Sequence, residues 1–412
     1  MTAVQLSSKT HETTGQDIAS FHARLDDILP LIEEKAQEAE ELGRMTDEVV
    51  AALRKGGFYT MMFPREVGGA ELNPVEFISI LERIAYAHGS AGWCTMISTA
   101  EGVPMSIYLD QKGIDTVFKN GPDITIAGNG VPRGYARPVD GGYLIKGNWA
   151  YGSAIYHAEW IHSGCFVMDP EGKEIQLTES GAPQIIVAHH PASTIKLLGN
   201  WDVLGLRATG SFDYTLASDD ELFVPDYMTY NFYDDSGPRR GNAQGHIGLV
   251  GYTALCHTAW AIGAGRRVLD EMAEVIRQRQ DPFGKSAESA TFKFRYAQAE
   301  AKYRSARALA YESWQAITNR AEKNEKPTLD EMTMIKLSLR HIHDVVSEVG
   351  LFSYREARGA GLHKTNLQLI FRDINASTQH ILLADQIVEE CGRGLLGLAA
   401  NDAKWSVFGI DG

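Results

Sequence analysis

Two stretches hold the residues whose types and spacing could do chemistry. One runs Gly147-Asn148-Trp149-Ala150-Tyr151-Gly152-Ser153, the other Trp201-Asp202-Val203-Leu204-Gly205-Leu206-Arg207-Ala208-Thr209-Gly210-Ser211. Each sets a tryptophan a few residues ahead of small hydroxyl and glycine residues. That pattern suits a flat aromatic ligand, with an apolar wall and with hydroxyls and N–H groups exposed where glycine lets the chain approach. The same residues also serve ordinary ends: Trp149 and Trp201 as core packing, Ser153 and the Thr209–Ser211 segment as turn chemistry. Two titratable residues join them, His380 near the C-terminus and Glu101, eight positions after Trp93. His380 reads either as a core histidine on an apolar helix or as a proton-handling group. Glu101 reads either as a surface carboxylate or cap, or as a cleft carboxylate whose raised pKa suits it to accept a hydrogen bond from a ring N–H or a cation.

Other patterns carry less. His341 and His343 stand two apart on a helix, on different faces, and should not chelate a metal. His189-His190 reads as a strand-end pair. The glycine-rich Gly128-Asn129-Gly130-Val131-Pro132-Arg133-Gly134 has the wrong spacing for a dinucleotide fingerprint, is interrupted by proline and has no βαβ unit around it. No nicotinamide site follows. Acidic runs such as Glu38 to Glu41 read as solvated helix faces.

The elements that must position these residues divide the chain in three. Residues 1–121 read as helical, 122–235 as strands and turns, and 236–412 as four long helices near 245–279, 287–322, 329–356 and 366–391. In the third of these, Ile335, Leu339, Ile342, Val346 and Val349 keep one apolar face, and four such helices with short links make a bundle. Gly141-Gly142 and Asp169-Pro170-Glu171-Gly172 read as hairpin turns. The first residues, through about Gln16, read as a loose tail rather than a signal peptide. The most apolar run, Ile247 to Gly265, reads as a buried core helix rather than a membrane span. A formal charge of −14, from 39 basic and 53 acidic residues, argues against nucleic-acid and polybasic membrane contacts. Four widely spaced cysteines, at 94, 165, 256 and 391, fit reduced thiols in the cytoplasm.

The ordered set resembles the acyl-CoA dehydrogenase superfamily. The helical first part has Pro64-Arg65-Glu66-Val67-Gly68-Gly69, similar to the family's proline-to-glycine-pair turn. The middle has both tryptophan stretches, and Phe371-Arg372-Asp373-Ile374-Asn375-Ala376-Ser377-Thr378-Gln379-His380 resembles the Arg-Asp motif. The resemblance implies an α+β fold: a helical N-terminal domain, a β-barrel-like central domain and a C-terminal four-helix bundle. Straight-chain dehydrogenases place a catalytic Glu about nine residues beyond that Arg, followed by Gly-Thr; here His380-Ile381-Leu382-Leu383 follows, with no carboxylate to abstract a proton. The Arg-Asp…His version looks instead like the flavin-dependent monooxygenases of this fold.

That branch implies the oxygenase component of a two-component system. It would use reduced flavin (FADH2 or FMNH2) and O2, supplied with flavin by a separate NAD(P)H:flavin reductase. It would oxygenate a small aromatic substrate through a flavin C4a-hydroperoxide and assemble as a homotetramer. By resemblance Ser153 stands at flavin N5 and His380 beside the peroxide, titrating near neutrality. Thr209, Gly210 and Ser211 border the isoalloxazine, Trp149 and Trp201 form its walls, and Arg277 and Arg279 before Phe283-Gly284 reach a flavin phosphate across a subunit boundary. The family's usual Ser-Gly is Ser153-Ala154 here. Phenol-oxidising members resemble the chain at Ala91-Gly92-Trp93 but carry His where Glu101 stands. This leans the substrate, bounded by Trp93 and Glu101, towards an indole-type N–H heteroaromatic. The rivals are an acyl-CoA dehydrogenase or oxidase, an amino-sugar N-oxygenase, and a helical assembly protein without flavin.

Overall fold

The computed structural model describes residues 14–178, 181–233, 237–281, 284–400 and 403–411. The first thirteen residues of the expected tail, Phe283 and the 235/236 division lie outside or at the edge of these.

Local signals set the helix ends. α1 (Thr14–Leu42) leads into α2 (Asp47–Lys55), where Thr46 accepts the Val49 N–H and Arg54 and Lys55 occupy the last turn. α3 (Pro74–Ala87) begins with proline at its first position and an Asn73–Glu76 capping box. α4 (Gly89–Tyr108) is buried almost throughout, between α3, the long helix described below and the first strand. α5 (Gln111–Val117) closes the helical part.

The sheet then begins. β1 (Ile126–Val139) turns back at Gly141, in the left-handed region at φ 74°, into antiparallel β2 (Gly142–Gly152), as the glycine pair indicates. β1 also runs parallel to β3 (Trp160–Val167), which pairs with β4 (Ile185–Pro191). The remaining strands are β5 (Ile195–Leu197), β6 (Phe212–Leu216), β7 (Leu222–Pro225) and β8 (Thr229–Asn231). The order is β5-β6-β2-β1-β3-β4-β8, with β7 also on β2.

The C-terminal helices are α6 (Gly248–Gln278), α7 (Ala290–Glu322) and α8 (Leu329–Ala357), the last opened by a Thr328–Glu331 capping box. α6 has the length and apolarity of a membrane span, but 83% of its apolar window is buried inside the protein. The fourth expected helix is broken. α9 (Asn366–Ser377) and α10 (Asp385–Leu395) are separate, with a short 3-10 turn at Ile381–Leu383 between them. His380 therefore lies in a break, not on a helix. α6 packs on α3, α4, α8 and α9, so the seam between bundle, α4 and sheet is where side chains from all three parts meet.

Candidate active site

Trp93 stands at that seam. Its indole N–H donates to Ser153 Oγ at 3.1 Å, joining α4 to the end of β2. The rings of His257, Trp260 and His380 meet it edge-on, with centroids 4.8, 5.4 and 6.2 Å away. Beyond Ser153 the polar contacts continue: Ser153 Oγ to Ser211 Oγ at 2.7 Å, Ser211 Oγ to Thr209 Oγ1 at 2.6 Å, and Thr209 Oγ1 to the Leu206 carbonyl at 2.7 Å. An indole N–H can only donate and a carbonyl can only accept. The three hydroxyl protons between them must therefore all run one way, from Ser153 to Ser211 to Thr209 to Leu206. Ser153 Oγ accepts from Trp93 and donates to Ser211, which leaves one lone pair uncommitted.

The backbone around these hydroxyls is strained. Tyr151, Ala154 and Leu206 have φ of 61°, 62° and 55°, the left-handed region that suits glycine, and Gly210 has 53°. A side chain there costs roughly 1–2 kcal/mol. Ala154 sits where a Ser-Gly pair would be free of that cost, and its N–H ties the two stretches by donating to the Thr209 carbonyl at 2.9 Å. Replacing Ala154 with Gly is expected to stabilise the fold by about 1 kcal/mol, read from urea unfolding; a loss of stability would show that the methyl packs usefully.

Two carboxylates hold the second stretch from behind. Asp373 Oδ1 accepts the Leu206 N–H at 2.6 Å, and Glu40 Oε1 accepts the Ala208 N–H at 3.2 Å. Arg372 donates to the Leu204 carbonyl at 3.0 Å and approaches Glu40 at 3.5 Å. Arg372 and Asp373 thus grip the same segment from two directions, and Glu40, only 5% exposed, is not part of a solvated face. Burial pushes both carboxyls up, and for Asp373 the Glu40 charge adds to it. Gly89 is needed beside them, since a Cβ there would lie 2.5 Å from Asp373 Oδ2. Asp373→Ala leaves the Leu206 N–H buried and unpaired, an expected loss of about 1–3 kcal/mol in thermal unfolding; Asp373→Asn should recover most of it.

The structure brings Ser153, Thr209, Ser211, Trp93 and His380 together. His380 Nδ1 accepts the Leu382 N–H at 3.3 Å, so the proton of its neutral ring sits on Nε2. Burial lowers its pKa to about 4, which corrects the expectation that it titrates near neutrality: in the resting protein it is a neutral donor. Its ring lies 3.8 Å from that of His257, a residue the sequence reading passed over. His343 lies beyond, its Nε2–H donating to the His257 carbonyl at 3.3 Å.

Other expected residues lie elsewhere. Trp149 is fully enclosed, stacked on Tyr214 at 5.3 Å and donating to the Gly164 carbonyl at 2.8 Å. It is a core residue of the sheet and has no surface to offer as a ligand wall. Trp201 is partly exposed, its N–H shared between the carbonyls of Leu206 and Arg207, and Tyr151, 62% exposed, meets it edge-on at 6.4 Å. Arg277 pairs with Glu274, while Arg279 donates to Ser286 Oγ and the Glu356 carbonyl. Both lie about 30 Å along or beyond α6 from His257, so within one chain they do not join the site. Glu101 is on α4 two turns beyond Trp93, 7% exposed, with Oε2 unpartnered and its pKa pushed well up by burial alone.

Family models match on both sides of the sheet. The acyl-CoA dehydrogenase N-terminal domain matches residues 29–111, and the acyl-CoA dehydrogenase C-terminal domain matches residues 255–385. The chain belongs to the acyl-CoA dehydrogenase superfamily. Several of its relatives are named flavin-dependent monooxygenases or hydroxylases. The oxygenase subunit HsaA of a flavin-dependent monooxygenase from Rhodococcus jostii (strain RHA1) is 33% identical over 210 residues, 51% of each chain. That match spans about half the length of the relative. Indole-3-acetate monooxygenase from Pseudomonas putida is 26% identical over 384 residues, 92% of this chain and 93% of the other. Among solved structures, XiaF from a Streptomyces species, in complex with FADH2 and glycerol, superposes with TM-score 0.82 at 19% identity, covering 95% of this chain and 98% of that one. At that identity the superposition speaks for the superfamily fold.

Proposed function

We propose that this superfamily member is the oxygenase component of a two-component, reduced-flavin-dependent monooxygenase acting on a small aromatic substrate, indole-type rather than phenolic. The observation that carries the reading is the one-way hydroxyl chain ending at Ser153, with the His380 ring edge-on to the Trp93 indole that donates to Ser153. The residues fit a reduced flavin: Ser153 keeps a lone pair for an N5–H donor, and Tyr151 and Trp201 present aromatic surface beside it. Such a flavin, when bound, supplies oxygen transfer from a C4a-hydroperoxide.

The protein's own part is to keep water and stray protons away. Trp93, Trp260 and His257 close the apolar side. His380 presents one N–H, from Nε2, and its depressed pKa keeps it from delivering a proton prematurely. Glu101 lies along α4 as a contact for a ring N–H. The flavin-dependent names of the relatives support the cofactor, and their naming as oxygenase subunits supports a separate NAD(P)H:flavin reductase. A homotetramer remains part of the reading, with Arg277 and Arg279 serving a neighbouring subunit's flavin phosphate. Four buried free cysteines support a reducing, cytoplasmic setting. An acyl-CoA dehydrogenase or oxidase fits less well, because His380 and not a carboxylate follows Arg372-Asp373.

The test supplies reduced flavin from a generic reductase, admits O2, and measures oxygenated indole against H2O2. Coupled product supports the reading; reduction of bound flavin by an acyl-CoA without O2 would replace it with the dehydrogenase. His380→Ala is expected to lower the product-to-peroxide ratio about tenfold, or about 1.4 kcal/mol of barrier difference. An unchanged ratio would remove His380 from the reaction.

A further inference from the structure

A second set of enclosed polar atoms lies away from Ser153, between α4, the sheet and the start of α6. Glu101 Oε2, the Tyr230 hydroxyl and both ring nitrogens of His162 are buried and have no hydrogen-bond partner. His162, His189 and Tyr230 form a triangle of rings, with centroids 5.4, 5.4 and 6.4 Å apart. The Glu101 carboxyl bears on both Tyr230 and Tyr214 electrostatically. The neighbouring hydroxyls are already committed, Tyr108 to the Gly245 carbonyl at 2.6 Å and Tyr214 to Ser163 and the His162 carbonyl. Native proteins leave few buried polar groups unpaired, and several in one place call for something that pairs them.

Position connects this set to the hydroxyl chain. Glu101 precedes the end of α4 by two turns and stands eight residues from Trp93. On α6, Leu249 stands eight residues from His257, and a Cβ on Gly130 would touch both Leu249 and His162 Nε2. Eight helical residues measure about 12 Å, so two packed helices give the same separation between the polar set and the Trp93–His257 contact. Two or three fused rings span that length.

We propose that Glu101, Tyr230 and His162 receive an uncharged hydrogen-bonding group (a lactam, a phenol or a ring N–H) at the far end of the aromatic substrate, and that they exclude a carboxylate. This rests on the aromatic-oxygenase reading and names its substrate class. Charge decides it. Among the described residues the only buried cations are Arg267 and Lys336. Arg267 is held by Glu33 and Glu271, and Lys336 by the carbonyls of Ser406 and Val407. A ligand carboxylate would lose its water without gaining a counter-charge, at a cost of several kcal/mol. The receptor is itself neutral: burial raises Glu101 well above its ordinary value and lowers His162 to about 3. A neutral carboxylic acid offers one donor and one acceptor, and so does a neutral imidazole. An adjacent N–H and C=O would satisfy both.

The experiment is anaerobic equilibrium binding of oxindole and of indole-3-acetate to the whole chain near pH 7.5, with and without reduced flavin. Oxindole is expected to bind at least tenfold more tightly. Glu101→Gln, which keeps a donor and an acceptor, should stay within about threefold for oxindole, while Glu101→Leu should lose about tenfold or more. Tyr230→Phe supplies an independent loss if Glu101→Leu fails to fold. Infrared difference spectra should show a carboxylic-acid C=O stretch in the native protein that is absent from Glu101→Gln. Equal binding of the two probes, no binding of either, or an indifferent Tyr230→Phe overturns the proposal. The flavin assay is read separately. Lost oxygenation with the binding pattern intact would refute the oxygenase and leave the receptor.

Discussion

Acidification is expected to unfold this protein steeply: between about pH 6 and pH 5 it should lose on the order of 5 kcal/mol, comparable to the whole stability of many domains. The cause is six enclosed histidines, His88, His162, His189, His190, His257 and His343, together with His380, whose value burial lowers to about 4. Burial lowers His88 and His190 to about 4, His162 and His343 to about 3, and His189 and His257 well below the ordinary value. In the unfolded chain each ring would titrate near 6.5. Below that pH the unfolded state holds more protons than the folded one. The histidine contribution is therefore complete above about 6.5 and drains as pH falls towards the folded values, at about 1.4 kcal/mol per ring and pH unit.

Buried carboxyls work the other way. Glu101 and the Glu40–Asp373 pair have raised values, so the folded state holds about one extra proton at each and loses stability as pH rises. The net below pH 6 is about four protons, and the two trends together place maximum stability between about pH 6 and 7. Thermal midpoints recorded from pH 4.5 to 9 check this. His162→Phe should flatten the acid limb by about one proton. A midpoint that stays level from pH 7 to pH 5 would show that these rings reach water or anions that the folded chain denies them.

The same burial explains what could be read along the chain and what could not. The meeting of Ser153, Thr209 and Ser211 could be anticipated because small hydroxyls recur beside glycine in both stretches, and His380 was singled out only by the resemblance of its surroundings to the Arg-Asp motif. Trp149 was misjudged because strand alternation fails there. The β2–β6 register shifts between Trp149 and Gly152, and Tyr151 takes a left-handed φ, so Trp149 turns into the core while Tyr151 turns out. The break at His380 has no glycine or proline to announce it; its turn is closed by the His380 side chain accepting from Leu382. Glu40 carried a signal that its acidic neighbours masked: it continues the buried stripe of Leu25, Ile32 and Ala36. His257 carried one too, as the sole charged or basic residue within the run from Ile247 to Gly265. Neither position reveals its partner, since Ala208 and His380 are brought there by packing of distant segments.

Ser153→Ala is expected to raise H2O2 release per product about tenfold or more, with reduced-flavin affinity falling less. The argument is directional. Trp93 can only donate to Ser153, and Leu206 can only accept from Thr209, so the intervening hydroxyls have one arrangement and the remaining lone pair of Ser153 is left to accept. Removing Oγ deletes that acceptor and strands the Trp93 N–H, a buried donor worth about 1–3 kcal/mol. Two companion variants separate function from strain. Ser211→Ala takes away the partner that receives the Ser153 proton, so Ser153 can swing and offer its hydrogen where a lone pair is needed; peroxide leakage should rise while Trp93 stays satisfied. Trp93→Phe keeps an aromatic ring against His257 and His380 but frees Ser153 from the other side, and should leak for the same reason. Ser153→Thr retains the oxygen and should recover coupling. If Ser153→Ala leaks no more than the native protein while Ser211→Ala does, the acceptor for the flavin lies at Ser211, and the chain runs past Ser153 rather than ending there.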